Sequence, residues 1–109
     1  MSSEPDYTVA FTLITHAGSS RSNSMGALQA ARKGEYAEAH ELLEAAENDL
    51  REAHGAQTAL VQQEAGGTPV PLNVILVHAQ DHLTSAIIVR ELAEEILYMY
   101  ERFAPEDAQ

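Results

Sequence analysis

Three observations predict an all-α fold of three helices for this chain. Two breaks cut its 109 residues into three segments of helix-forming length. The middle segment repeats apolar residues in alternating steps of three and four. The single strand-like stretch, near the start, has no second strand to pair with. The first break is Arg32-Lys33-Gly34, basic residues followed by glycine in the manner of a helix end. The second is Gly66-Gly67-Thr68-Pro69 with Pro71 behind it, a loop leading into a helix start. The length allows one domain, residues 1–109, with helices expected over about 5–33, 35–65 and 72–103.

The first segment is the least regular. Tyr7-Thr8-Val9-Ala10-Phe11-Thr12-Leu13-Ile14-Thr15 is rich in β-branched residues and taken alone reads as a strand. Tyr7, Ala10 or Phe11, Ile14, Gly18, Met25 and Leu28 partly follow a helical stripe, and helix is the reading adopted, with Gly18-Ser19-Ser20 as a point of kinking or interruption. The middle segment carries Tyr36, Ala39, Leu43, Ala46, Leu50, Ala53, Gln57 and Leu60 on one seam, widened by Leu42 and Val61. Glu38, Glu41, Glu44, Glu47 and Glu52 lie largely off it, as a solvated acidic face.

The third segment has two apolar lines. Ile75, Ala79, His82, Ala86, Val89, Ala93, Ile96 and Tyr100 form the first; Val74, Val77, Asp81, Thr84 and Ile88 form the second, which turns acidic at Glu91 and Glu95. At about 100° per residue the lines sit roughly 140° apart. A helix with two apolar faces needs two sets of neighbours: its own chain for one, and another subunit for the other.

Composition removes several functions. With 17 acidic residues against 6 basic and a formal net charge of −11, the chain would be repelled by nucleic acid and by anionic membrane. The longest nearly apolar run, Pro69 to Val77, is too short to span a bilayer, and no basic-then-apolar leader opens the sequence. The absence of cysteine rules out disulfides and thiolate metal sites and fits a cytoplasmic location. The polar tail from Ala104 to Gln109 is expected to fray.

Chemistry concentrates in His78-Ala79-Gln80-Asp81-His82. His78 and His82 are four residues apart and Asp81 is three from His78, so all three can project toward one side of a helix. Zinc binding, general-base catalysis and phosphoryl acceptance on a ring nitrogen all suit that spacing, as does a pair of structural histidines. Asp81 interrupts an apolar line, where an isolated carboxylate is costly. If that line follows a symmetry axis, copies of Asp81 converge and demand a cation or shared protons; the plainer reading points the carboxylate into water. His78 falls between the two lines, about 60° from the first and 80° from the second, at the rim of a groove.

His78-Ala79-Gln80-Asp81-His82-Leu83 resembles the His-Gly-Gln-Asp-His-Leu signature of the lactose/cellobiose-type enzyme IIA proteins of the phosphoenolpyruvate-dependent sugar phosphotransferase system. Ala17-Gly18 with Arg21-Ser22 resembles that family's Ala-Gly-x-x-Arg-Ser, and Ala53-His54 with Gln57-Thr58 its Ala-His-x-x-Gln-Thr. The resemblance implies three antiparallel helices assembled as a homotrimer, with His78 phosphorylated at Nε2. It implies that Asp81 from three subunits binds one metal ion, usually magnesium. The phosphocarrier HPr would donate the phosphoryl group, a cognate enzyme IIB would accept it on cysteine, and a membrane enzyme IIC would import the sugar. Gln80 and His82 become candidates to orient His78 or to donate to phosphoryl oxygens.

Departures from the family pattern are Ala79 for its usual glycine, Thr84 for a common methionine, His16 for a frequent tyrosine, and Gly26 for a helix-favouring residue. Gln57 is read as satisfying buried polar groups, His54 and Thr58 as packing and hydrogen-bonding residues, and His16 and His40 as incidental. Arg21 is read as a partner for an acidic residue or as facing an incoming phosphate. The competing function is a non-catalytic helical adaptor or zinc-binding bundle holding one zinc per chain through His78, Asp81 and His82.

Overall fold

The computed structural model describes residues 7–105, and within them the chain forms three α-helices and no strand. They are α1 (Thr8–Arg32), α2 (Tyr36–Ala65) and α3 (Val74–Arg102). Residues 5 and 6 of the expected first helix, and 106–109 of the tail, lie outside the described residues. Successive helices run antiparallel: Ser20 of α1 meets Ala46 of α2, and along α2 and α3 His40 meets Glu101 while Gln57 meets Gln80. The result is a rod of 68 × 22 × 17 Å.

Glycine closes two of the helices in the same way. Gly34, at φ 78°, and Gly67, at φ 97°, take the left-handed conformation that other residues adopt only at a cost. After α1, the Glu35 amide donates to the Ala30 carbonyl at 2.9 Å and the Gly34 amide to that of Ala31 at 3.0 Å. After α2, the Thr68 amide donates to Gln63 and the Gly67 amide to Glu64. Both are paired end-capping bonds that satisfy the last carbonyls. Helix α3 starts two residues later than its prolines suggest, because Asn73 caps it, its side chain accepting from the Leu76 amide at 2.8 Å.

Helix α1 packs heavily on both α2 and α3, whereas α2 and α3 touch each other much less. Alanine supplies most of the buried apolar side chains, so the helix backbones come close. The α2 seam is as expected, with Ala39, Leu43, Ala46, Leu50 and Ala53 buried and Tyr36, Gln57 and Leu60 half-buried, although Val61 is exposed.

The α1 stripe is displaced by one residue. Leu13 and Ala17 are buried where Ile14 and Gly18 were expected, and Phe11 and Met25 are exposed. A helix wedged between two others buries small residues on both sides, and Ser20 and Ser24 join the core. Ser20 Oγ donates to the Ala46 carbonyl at 2.9 Å, while Ser24 Oγ has no partner. No interruption occurs at Gly18-Ser19-Ser20; the helix is continuous. The strand-like opening is helical because Val9 and Ile14 pack against the core, and tertiary contact overrides local preference.

In α3 the buried line is Leu76, Ala79, Leu83, Ala86, Ala93 and Leu97: Ala79, Ala86 and Ala93 are as expected, while Leu76, Leu83 and Leu97 are buried where Ile75, His82 and Ile96 were expected. Ile75, His82 and Val89 flank it half-buried, and Ile96 and Tyr100 are exposed. Arg90 ties α3 to α2, its Nε 3.2 Å from a Glu47 carboxylate oxygen while Nη1 donates to Glu94. The second line is uncovered: Val74 is 84% exposed and Val77 and Ile88 are each 51% exposed.

Candidate functional site

His78 stands in the second turn of α3, on an exposed flank of the helix. His82, one turn further on, is half-buried and turns its ring edge-on to His78, with centroids 4.5 Å apart and planes at 87°. Their Nε2 atoms are 3.0 Å apart, so one imidazole donates and the other accepts. The spacing of four residues on a helix produces this directly. His82 therefore lies where the sequence places it, against the ring of the candidate nucleophile.

Gln80 does not. Two residues beyond His78 it lies about 160° round the helix, facing α2. Its Oε1 accepts from Gln57 Nε2 at 2.6 Å, and the pair is half-buried. Within one chain Gln80 thus cannot orient His78; it satisfies Gln57, which matches the role expected of Gln57. Beside Gln80 a groove of about 360 Å³ opens between α2 and α3, lined by Leu60, Val61, Leu72, Leu76 and Val77.

Asp81 is exposed in the uncovered line of Val77, Thr84 and Ile88, with no hydrogen bond or ion pair to another described residue. Among the described residues no three His, Asp or Glu side chains come together in a way that could hold a metal ion. The single-chain zinc site of His78, Asp81 and His82 is not formed. His78 and His82 spend their Nε2 atoms on each other, and Asp81 lies about 100° round the helix from His82.

Several neighbouring residues depart from their expected roles. His54 and Thr58 are exposed, and neither makes a side-chain hydrogen bond within the described chain. Arg21 is exposed and has no acidic partner there. His16 is not incidental: its Nδ1 lies 3.3 Å from Asp49 Oδ1. Ser19 Oγ and Asn23 Nδ2 donate to the other oxygen of Asp49 at 2.6 and 3.2 Å. One α2 carboxylate so gathers three α1 side chains, and their spacing of three and four residues was the available signal. His40 likewise contacts Glu101, joining the start of α2 to the end of α3.

Comparison with known proteins finds relatives along most of the chain. The family described as PTS system, lactose/cellobiose specific IIA subunit, matches residues 8–101. The lichenan-specific phosphotransferase enzyme IIA component of Bacillus subtilis is 43% identical over 94 residues, covering 86% of each chain. The lactose-specific EIIA component of Streptococcus mutans is 39% identical over 102 residues, 94% of this chain and 98% of its own. Among solved structures, a crystal structure of the PTS cellobiose-specific enzyme IIA from Bacillus anthracis superposes with a TM-score of 0.87 at 42% identity, covering 93% of each chain. The chitobiose IIA in a solution complex with HPr from Escherichia coli gives 0.79 at 33% identity, covering 94% of this chain and all of that one.

Proposed function

The chain belongs to the lactose/cellobiose-specific IIA subunits of the sugar phosphotransferase system, and from that premise we propose that His78 carries the phosphoryl group from HPr to an enzyme IIB. The observation that carries this reading is the pairing of the His78 and His82 Nε2 atoms at 3.0 Å on an exposed flank of α3. A relay nucleophile must be reachable by two partner proteins in turn, and it must be held in one ring orientation.

The lone pair of His78 Nε2 attacks phosphorus in line as the nitrogen–phosphorus bond of the donor's phosphohistidine breaks. The departing imidazole keeps the bonding pair, and a new nitrogen–phosphorus bond holds the group on His78. His82 gives up His78 Nε2 and turns its N–H toward a phosphoryl oxygen. In the second half a cysteine thiolate of enzyme IIB attacks the same phosphorus, and His78 Nε2 leaves with its pair. Such transfer rests on positioning and charge neutralisation. No small molecule is turned over by this subunit alone, and sugar import belongs to the membrane enzyme IIC. Among the described residues no helix is long and apolar enough to cross a membrane, which fits work at the cytoplasmic face.

The homotrimer is supported by the uncovered line of α3. Val74, Val77 and Ile88 leave much apolar surface in water, and three copies packed about an axis would cover it. Asp81 lies in the same line, so its three copies would converge. A set of carboxylate oxygens without nitrogen or sulfur suits a hard cation such as magnesium. Bound there, the ion would offset the repulsion of the three carboxylates. The relay reading therefore calls for one hard cation per trimer, against one zinc per chain for a zinc-binding bundle.

Intact-mass analysis after incubation with phosphoenolpyruvate, enzyme I and HPr tests the proposal. One phosphoryl group on the wild type and none on a folded His78→Ala variant is the expected result. Label on that variant, or an unmodified wild type beside active HPr, overturns it.

A further inference from the structure

Gln57 and Gln80 form a buried-edge pair whose polarity is set by one hydrogen bond. Because the Gln57 amide nitrogen donates to Gln80 Oε1, the carbonyl end of Gln80 is held inward and its own amide group is turned the other way. Both N–H donors of that group are then free beside a mainly apolar groove, whose one carboxylate, Glu64, accepts from the Val70 amide. A pair of oriented donors in apolar surroundings suits an oxyanion.

The helix geometry identifies which oxyanion. Around α3, the centre of the line Val74, Val77, Asp81, Thr84 and Ile88 lies about 80° from His78 on one side and about 80° from Gln80 on the other. If that line faces a threefold axis, rotational symmetry sets the His78 flank of each α3 against the Gln80 flank of the next. Their axial offset is two residues, about 3 Å. Resting on the trimeric relay reading above, we propose that Gln57 is a positioning residue. By holding the carbonyl of Gln80, it aims the Gln80 amide at the phosphoryl oxygens on His78 of the adjacent copy of this chain.

Two substitutions separate aiming from packing. Gln57→Glu keeps size and shape but can only accept, so Gln80 must reverse and present its oxygen to the phosphoryl group. Gln57→Leu loses the bond and leaves Gln80 unaimed. A packing role makes leucine the worse of the two; an aiming role makes glutamate the worse. We expect Gln57→Glu to slow phosphorylation by phospho-HPr about tenfold or more, the size of a lost charge-assisted hydrogen bond, and Gln57→Leu to slow it less. The Gln80 side-chain amide resonances should shift on phosphorylation in the wild type and in neither variant. The reverse order of rates, or unaltered rates in a folded Gln57→Glu protein, overturns the assignment.

Mixed assemblies test the second half. Gln57→Glu subunits co-assembled with His78→Ala subunits should regain rate, since each intact Gln57–Gln80 pair then serves a neighbour's His78. Mixed trimers without such rescue overturn action across the interface and leave the relay standing. A protein that light scattering finds monomeric overturns the trimer reading itself, and this inference with it.

Discussion

Replacing His82 by phenylalanine isolates what its ring nitrogen contributes. Phenylalanine keeps a flat ring beside His78, where the centroids are 4.5 Å apart and the planes nearly perpendicular, but it has no donor at the Nε2 position. In the resting protein the lost bond spans 3.0 Å between two imidazoles at an exposed site, worth about 1 kcal/mol. During transfer the same N–H would face a phosphoryl oxygen, and a bond to a charged group is worth about 1.5–3 kcal/mol. Only the difference, about 0.5–2 kcal/mol, slows the step, so at about 1.4 kcal/mol per tenfold transfer from phospho-HPr should slow roughly twofold to thirtyfold. Rapid-quench measurement with phospho-HPr in excess reads that rate, and circular dichroism confirms the fold. His82→Leu removes ring and donor together and should be no faster than His82→Phe. A phenylalanine variant at the wild-type rate would refute the argument, leaving His82 as packing alone.

Other expectations follow from the same structure. In the proposed trimer, Asp81→Leu would remove three converging carboxylates from an apolar line and should leave a tighter trimer; a trimeric wild type with a monomeric variant, seen by light scattering, would contradict that packing. Asn73→Ala removes the acceptor for the Leu76 amide and should cost about 1 kcal/mol in urea unfolding with no change in the slope. A hydrogen bond that the protonated Glu38 carboxyl donates to Glu35, then the charge of Glu35, holds the Glu38 carboxyl above its ordinary value. The folded state therefore binds this proton better than the unfolded chain, and the stabilisation it brings at low pH fades as pH rises through the raised value. Glu38→Gln should flatten that part of the stability curve, and an unchanged profile in thermal melts across acid pH would count against the pairing.

How far the sequence spoke depended on which residues carried the signal. The α2 seam was legible because leucines and alanines alternate there against glutamates, with no competing stripe. In α1 alanine, serine and glycine fill both buried sides, and residues that small carry little apolar contrast, so the stripe was read one position off. In α3 two apolar lines compete, and the true core ran between the first line and its neighbours at Leu76, Leu83 and Leu97. The histidine pair was readable because its geometry lies within one helix. The partnership of Gln57 with Gln80 joins different helices, and no spacing along the chain announces it; the steps of three and four between His16, Ser19 and Asn23 mark one face of α1 but do not name Asp49 as the residue opposite. Asp81 was legible as an anomaly in its line, and it remains without a partner within its own described chain.

The unequal packing of the three helices carries a consequence for how the protein opens. Helix α1 leans on both others, while α2 and α3 meet lightly, clasped by Arg90 near the middle and by the His40–Glu101 and Gln57–Gln80 contacts toward the ends. Separating α2 from α3 exposes little core, whereas peeling α1 away exposes nearly all of it. In deuterated solvent the central amides of α1 should be the last to exchange, at rates that follow global unfolding. The facing turns of α2 and α3 should exchange earlier, through openings that leave the rest of the rod intact.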